Sequence, residues 1–205
     1  MFGNIDKTIF HDSCRVLEIV PLQHYVFPIF KNGSTSLGKT GYRTITIDQL
    51  KQLTNVDVFV RNPHERFLSG VQTYLSKLDK SLDKSTALYF VKNYLYLNRH
   101  YCPQLFWLIN LQRFTKAKIT IRPIDDVGTI TKLTENTSTV NQDVIDYFAN
   151  DDKIKFYNEM DEVLTINLIG QTVTFKEIMS ELSTKYSELY ANVFDLPREL
   201  VNVVS

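Results

Sequence analysis

The sequence holds two cysteines, Cys14 and Cys102. Two are too few for a disulfide framework, and their separation fits no zinc-ligand spacing. That scarcity suits a reducing compartment. An excess of charge of either sign is also missing, because 23 Lys and Arg balance 23 Asp and Glu. A general nucleic-acid binder would carry a basic excess, so that class is excluded, while a local anion site is not. No stretch approaches the about 18 apolar residues of a membrane span. Residues 1–14 (MFGNIDKTIFHDSC) lack the basic start and apolar run of a signal peptide. Repeats, low-complexity tracts and obvious linkers are absent too. The expectation is a soluble, cytoplasmic, single domain over residues 1–205, with no membrane and no nucleic-acid partner. Its 43% hydrophobic and 22% charged residues are those of a globular chain long enough to bury a core without staples.

The apolar runs that are present are short. RVLEIV (15–20) and QHYVFPIF (23–30) are rich in Val, Ile and aromatics. The second ends in a polar, Gly-containing turn, so 24–30 reads as a buried strand. Residues 42–47 (YRTITI) alternate and are β-branched, which favours an extended segment. Asp48 then suits the cap of a short helix ending near Leu53. VDVFV (56–60) and KITIR (118–122) read as further buried strands. From Pro63, an apolar face of Phe67, Leu68, Val71, Leu75 and Leu78 predicts a helix, with proline tolerated in its first turn. Helices are also expected at 86–98, 103–114, 140–149, 153–164 and 174–192. Single strands among dominant helices predict an α/β layer fold with a parallel sheet. Ligands of such sheets bind at the carboxyl ends of the strands, where the turns 31–36 and 61–69 fall.

The first of these turns reads two ways. Residues 33–40, Gly-Ser-Thr-Ser-Leu-Gly-Lys-Thr, match the Walker A pattern letter for letter. That reading puts Lys39 on nucleotide phosphates and Thr40 on magnesium. A Walker lysine opens a helix, however, and Lys39 is followed by Gly41, Tyr42 and a β-branched run. Neither later strand ends in a magnesium-binding Asp: Arg61 follows VDVFV, and Pro123 follows KITIR, with Asp125 and Asp126 displaced. In the other reading, Lys31 precedes the turn and the amides of Gly33, Ser34, Thr35 and Ser36 line an anion at a helix start.

Lys31-Asn32-Gly33-Ser34-Thr35-Ser36 resembles the 5′-phosphosulfate loop of sulfotransferases, with its Lys-x-Gly-x-Thr-Ser core. Residues 59–70, Phe-Val-Arg-Asn-Pro-His-Glu-Arg-Phe-Leu-Ser-Gly, are similar to the 3′-phosphate motif of the carbohydrate-sulfotransferase branch, in which Ser69 stands eight residues after Arg61. His100-Tyr101-Cys102-Pro103-Gln104 resembles the branch's His-Trp-x-Pro-Gln element, with Tyr101 for Trp. Ile124-Asp125-Asp126-Val127-Gly128 resembles its Tyr-Asp-Phe-Val-Gly segment, and Phe156-Tyr157 with Asp161 its Tyr-x-x-Asp ending. Phe30 stands where the family usually has proline.

The resemblance implies a P-loop-like three-layer fold, with a short central parallel sheet flanked by helices. It implies transfer of a sulfuryl group from 3′-phosphoadenosine 5′-phosphosulfate (PAPS) to a hydroxyl acceptor, such as a carbohydrate or small molecule, without a metal. Lys31 would meet the charge on the leaving phosphate, Asn32 to Ser36 would cradle it, and Arg61 with Ser69 would anchor the 3′-phosphate. For the general base, His100 ranks first, since it lies in a family-like motif and an imidazole can change charge near neutrality, and Asp48 second. His24 and His64 rank lower, one within a strand and one beside the 3′-phosphate. The aromatics Tyr89, Tyr94, Tyr96, Tyr101, Phe106 and Trp107 suit a core better than a stacking platform. A P-loop kinase or NTPase on Gly33–Thr40, and a non-catalytic nucleotide-binding relative, are the alternatives.

Overall fold

A computed structural model describes residues 15–19, 24–37, 39, 42–78, 82–95, 98–130 and 139–186. Six strands, β1 (Leu17–Ile19), β2 (His24–Val26), β3 (Tyr42–Thr44), β4 (Asn55–Val60), β5 (Lys118–Pro123) and β6 (Thr172–Val173), form one open sheet in the order β3-β1-β2-β4-β5-β6. Its centre is parallel: Val26 of β2 lies beside Asp57 of β4, and β4 runs along β5 from Asn55–Lys118 to Val60–Pro123. The flanks are antiparallel, with Leu17 opposite Val26 and Thr44, and Ile119 opposite Val173. The expectation of a parallel sheet is therefore corrected to a mixed one. Only residues 20–23 join β1 to β2, which is too short for the crossover of a dozen or more residues that parallel strands need.

Alternation along β4 divides the interior. Val56, Val58 and Val60 enter the larger apolar cluster. There they join Phe67, Leu68 and Val71 of α3 (Pro63–Ser76), Leu105 and Leu108 of α5 (Gln104–Gln112), and Ile154 and Met160 of α8 (Asp152–Glu162). Phe59 enters the smaller cluster, with Leu17, Ile19, Val26, Leu37 of α1 (Ser34–Leu37) and Val127 of α6 (Val127–Ile130). Among the described residues, the other α-helices are α2 (Ile47–Gln52), α4 (Lys84–Asn93), α7 (Gln142–Phe148) and α9 (Phe175–Tyr186). Among the described residues, no helix is long and apolar enough to cross a membrane.

Local chemistry sets several boundaries. β3 stops at Thr44 and not at residue 47, because Thr46 caps α2. Its hydroxyl accepts from the Gln49 amide, and the Gln49 side chain accepts from the Thr46 amide. This capping box displaces Asp48 from the expected cap into the first turn. Asn62 caps α3 by accepting from the Glu65 amide at 3.0 Å, and Pro63 takes the first helical position, where its missing N–H costs nothing. β2 is shorter than the expected 24–30. The helices expected at 86–98, 103–114, 140–149 and 153–164 are α4, α5, α7 and α8, whose bounds differ by a few residues. Residues 163–167 extend α8 as a π-helical turn. Residues 187–192 of the last expected helix, with Cys14, Gly38, Thr40, Gly41 and Tyr96, lie outside the described residues.

Gly70 lets α3 touch the turn before α5. A Cβ at this position would overlap the His100 carbonyl and the Tyr101 Cα. Both contacts are backbone and cannot swing aside. Gly70→Ala should therefore lower stability by about 3 kcal/mol, readable as a lower urea midpoint at unchanged slope. A midpoint equal to wild type would show that α3 does not pack this tightly.

Candidate functional site

Five segments meet at or behind the carboxyl ends of β2 and β4: the turn after β2, the start of α3, the residues leading into α5, residues 124–128 and α8. The first is the turn after β2, whose Lys31 has a φ of 69° and Gly33 a φ of 72°. Gly33 suits this left-handed backbone, whereas a lysine there is uncommon and strained. The strain is held by contacts on both sides. The Lys31 ammonium donates to Thr73 Oγ1 on α3 at 2.8 Å. The next side chain, Asn32, is buried and donates to the Phe59 carbonyl at 2.8 Å and to Gln104 Oε1 at 2.5 Å. A Cβ on Gly33 would press on Ile124 and Val127 at 3.2 Å, so the segment 124–128 roofs the turn. The first helical bond of α1 runs from Leu37 N to Gly33 O. Ser34 and Thr35 thus lie in a first turn, where amides have no acceptor within the helix. The Thr35 side chain is exposed, and Ser36 is buried.

The second segment is the start of α3. Arg61 is held by its backbone, since its N–H donates to Gln104 Oε1 at 3.0 Å and its carbonyl accepts from Gln104 Nε2 at 2.9 Å. Its guanidinium is part-exposed and pairs with Glu65 at 3.2 Å, a surface pair worth little. Ser69 is buried one turn before Thr73, and the Thr73 hydroxyl donates to the Ser69 carbonyl at 2.9 Å. The structure thus brings Lys31 to the α3 stripe that carries Ser69. Burial, and then the charges of Arg61, Lys77 and Arg66, hold the Lys31 ammonium below the usual lysine range.

Arg66 was not among the residues expected to matter. Its side chain is 1% exposed. Nε donates to the Phe30 carbonyl at 3.1 Å and Nη1 to the Cys102 carbonyl at 2.5 Å. It therefore ties the residue before Lys31 to the residues before α5. The Phe30 ring packs edge-on to Trp107, with the Arg99 guanidinium 4.6 Å from its centroid.

His100 is 4% exposed. Its Nε2 lies 3.1 Å from Lys77 Nζ and its Nδ1 2.9 Å from Asn98 Oδ1. An ammonium only donates, so Nε2 accepts and Nδ1 carries the proton. The lone pair that a general base needs is engaged by Lys77. Asp48 is 87% exposed at its side chain and pairs with Lys51. His24 bonds the buried Asp57 and His64 faces Asn158. Lys39, the Walker lysine, is exposed and follows α1 instead of opening it.

The last participant is Asp161 of α8, 2% exposed. α5 begins after Pro103 without a side-chain cap of its own. Asp161 supplies it from another helix, accepting from the Gln104 amide at 2.5 Å and the Leu105 amide at 2.8 Å. Burial pushes its carboxyl up to about 6, against the pull of these two amides and of Arg66. The sequence held a signal for this: a helix opening Pro-Gln-Leu lacks a capping residue and needs an acceptor from outside.

No protein-family model, curated protein or solved structure matches the chain.

Asp161 makes stability depend on pH in a defined direction. Its folded value, about 6, lies above its ordinary value of 3.8. Between these values the folded state holds the proton more tightly, so its contribution is full below about pH 4 and is lost as pH rises through about 6. The slope is at most about 1.4 kcal/mol per pH unit for one proton. Urea unfolding of wild type and Asp161→Asn from pH 4 to 7 should differ by this slope. Parallel curves would place the carboxyl at its ordinary value.

Proposed function

We propose that this chain is a PAPS-dependent sulfotransferase of the carbohydrate-sulfotransferase kind, built on a P-loop-like α/β fold and cytoplasmic, with a hydroxyl acceptor such as a carbohydrate. The observation that supports it is the Lys31–Thr73–Ser69 chain. A lysine in a strained backbone conformation reaches one turn from the serine of the second motif, under the charge of Arg61. The Lys31 side chain, expected at the sulfate end, thus bonds to the helix that carries Ser69, expected at the 3′-phosphate end.

In this reading the donor lies across the carboxyl ends of β2 and β4. The acceptor oxygen forms a bond to sulfur as the bond from sulfur to the bridging phosphate oxygen breaks. Negative charge grows on that oxygen, and Lys31 leaves Thr73 to meet it. Such preorganised charge acts most strongly where water is excluded. Gly33, Ser34 and Thr35 offer backbone amides to the same phosphate. Asn32 serves the loop differently from the expectation, with its side chain turned inward. Arg61 and Ser69 take the 3′-phosphate. The acceptor's proton goes to a base, and His100 fills that role only after Lys77 releases Nε2.

The Walker alternative is weakened by the position of Lys39 after α1. Lys31→Ala should slow sulfuryl transfer by ~10²–10³, and Lys39→Ala should have little effect. The reverse ranking would restore the Walker reading. Arg61→Ala keeps the backbone contacts to Gln104. It should weaken adenosine 3′,5′-bisphosphate binding by roughly 1.5–3 kcal/mol and spare a nucleotide lacking the 3′-phosphate. Equal losses for both nucleotides would contradict the assignment. In a thermal-shift assay, adenosine 3′,5′-bisphosphate at a hundredfold excess over its Kd should raise Tm by roughly 5–11 °C, with EDTA present. A larger, EDTA-sensitive shift with ATP and magnesium would sink the proposal.

A further inference from the structure

The donor-site reading makes no use of Asp161. This buried carboxylate nonetheless lies two residues from the loop by hydrogen bonds. Its two oxygens hold the amides of Gln104 and Leu105. The Gln104 side chain, wholly buried, then spends its oxygen on the Asn32 side chain and the Arg61 N–H, and its nitrogen on the Arg61 carbonyl. Asn32 lies between the left-handed Lys31 and Gly33. Displacing Gln104 therefore leaves the Asn32 side chain only its bond to the Phe59 carbonyl and removes the partner of both backbone groups of Arg61 at once.

We infer that Asp161 is a positioning residue for the donor site, setting the loop at Asn32 and the backbone of Arg61 through Gln104. The inference rests on the function proposed above for what the loop binds, but not for the coupling itself. The groups around the carboxylate are Arg66 from α3, Tyr101 and Cys102 from the turn before α5, and Tyr157 on its own helix. Arg66, Tyr101, Tyr157 and Asp161 line a cavity of about 10 Å³, the room that one water needs. Two of these residues carry buried polar atoms without a protein partner, Arg66 Nη2 and the Tyr101 hydroxyl. The carboxylate thus has polar neighbours and space beside it, so it can exchange a proton without unfolding the helix pair.

Protonation has a direct mechanical consequence. Each carboxylate oxygen accepts one amide, and a proton turns one of them into a neutral hydroxyl oxygen, a poorer acceptor than a carboxylate oxygen. One of the two contacts weakens, and with it the local hold on the start of α5, while relief of the buried charge adds to global stability. With its carboxyl raised to about 6, Asp161 should loosen Gln104, and with it the loop, as pH falls through that value. Donor affinity should then fall by about fivefold, the effect of one helix cap, beyond the change due to the nucleotide's own phosphates, which also titrate near pH 6.

The test uses the full chain without ligand and follows the Asn32 side-chain amide and the Arg61 backbone amide by ¹⁵N NMR from pH 4.5 to 8. In wild type both should titrate with a midpoint near 6. In Asp161→Asn neither should do so. In Gln104→Met, which leaves Asp161 with its two backbone amides, the Asp161 carboxyl should still titrate while the Asn32 amide stops following it. Calorimetry with adenosine 3′,5′-bisphosphate at pH 5.5 and 7.5 should show the extra fivefold loss in wild type only. Asn32 and Arg61 signals that ignore pH in wild type, or that titrate unchanged in either variant, would reduce Asp161 to a local cap. If wild type binds no such nucleotide, the donor reading fails, and the ligand-free titration still decides the coupling.

Discussion

One buried side-chain amide sets the geometry on which everything else depends. Gln104 has no exposed surface, and its oxygen and nitrogen face the end of β4 and the turn after β2. A buried amide left without partners costs about as much as the hydrogen bonds it fails to make, so the loop, the strand end and α5 are stable only in mutual register. Arg66 repeats the device one layer away, joining the Phe30 carbonyl to the Cys102 carbonyl. Between these two clamps Lys31 is held with φ at 69°, a conformation that a free turn would relax.

The charge distribution follows from this packing. Lys31, Arg61, Arg66 and Lys77 are near enough for three of them to depress the titration of the fourth. Glu65 on Arg61 and Asp161 near Arg66 offset part of that charge. A chain with no net charge overall has gathered cations at one end of its sheet, where a phosphate-bearing ligand would remove the repulsion. That is the physical case for an anion site, and it is independent of any motif.

Much of the frame was readable from local signals. The Val-Ile-Phe runs of β4 and β5, the Asn-Pro opening of α3 and its apolar face need no tertiary information. The sheet's mixed sense was missed because three-residue strands such as Leu17–Ile19 and Tyr42–Thr44 carry almost no periodicity. Asp48 suits a cap by residue type, but Thr46 with Gln49 forms the stronger box. At the site, the spacing pointed to Lys31, Arg61 and Ser69, and these do converge on α3 and its start. Within the loop, spacing does not reveal that the Asn32 side chain turns inward, onto Phe59 and Gln104. The roles of Thr73, Lys77 and Asp161 depend on contacts between residues 42, 23 and 57 positions apart, which no window of sequence reveals. For His100, what spacing could not show is that Lys77 engages its acceptor nitrogen.

The most direct measurement is a crystal structure of the chain with adenosine 3′,5′-bisphosphate. The 5′-phosphate should lie against the amides of Gly33, Ser34 and Thr35, with Lys31 Nζ moved from Thr73 onto it. The 3′-phosphate should lie on the Arg61 guanidinium and Ser69, with Gln104 still bonded to Asn32. A nucleotide whose phosphates sit on Lys39, or one that leaves the Lys31–Thr73 bond intact, would contradict this placement.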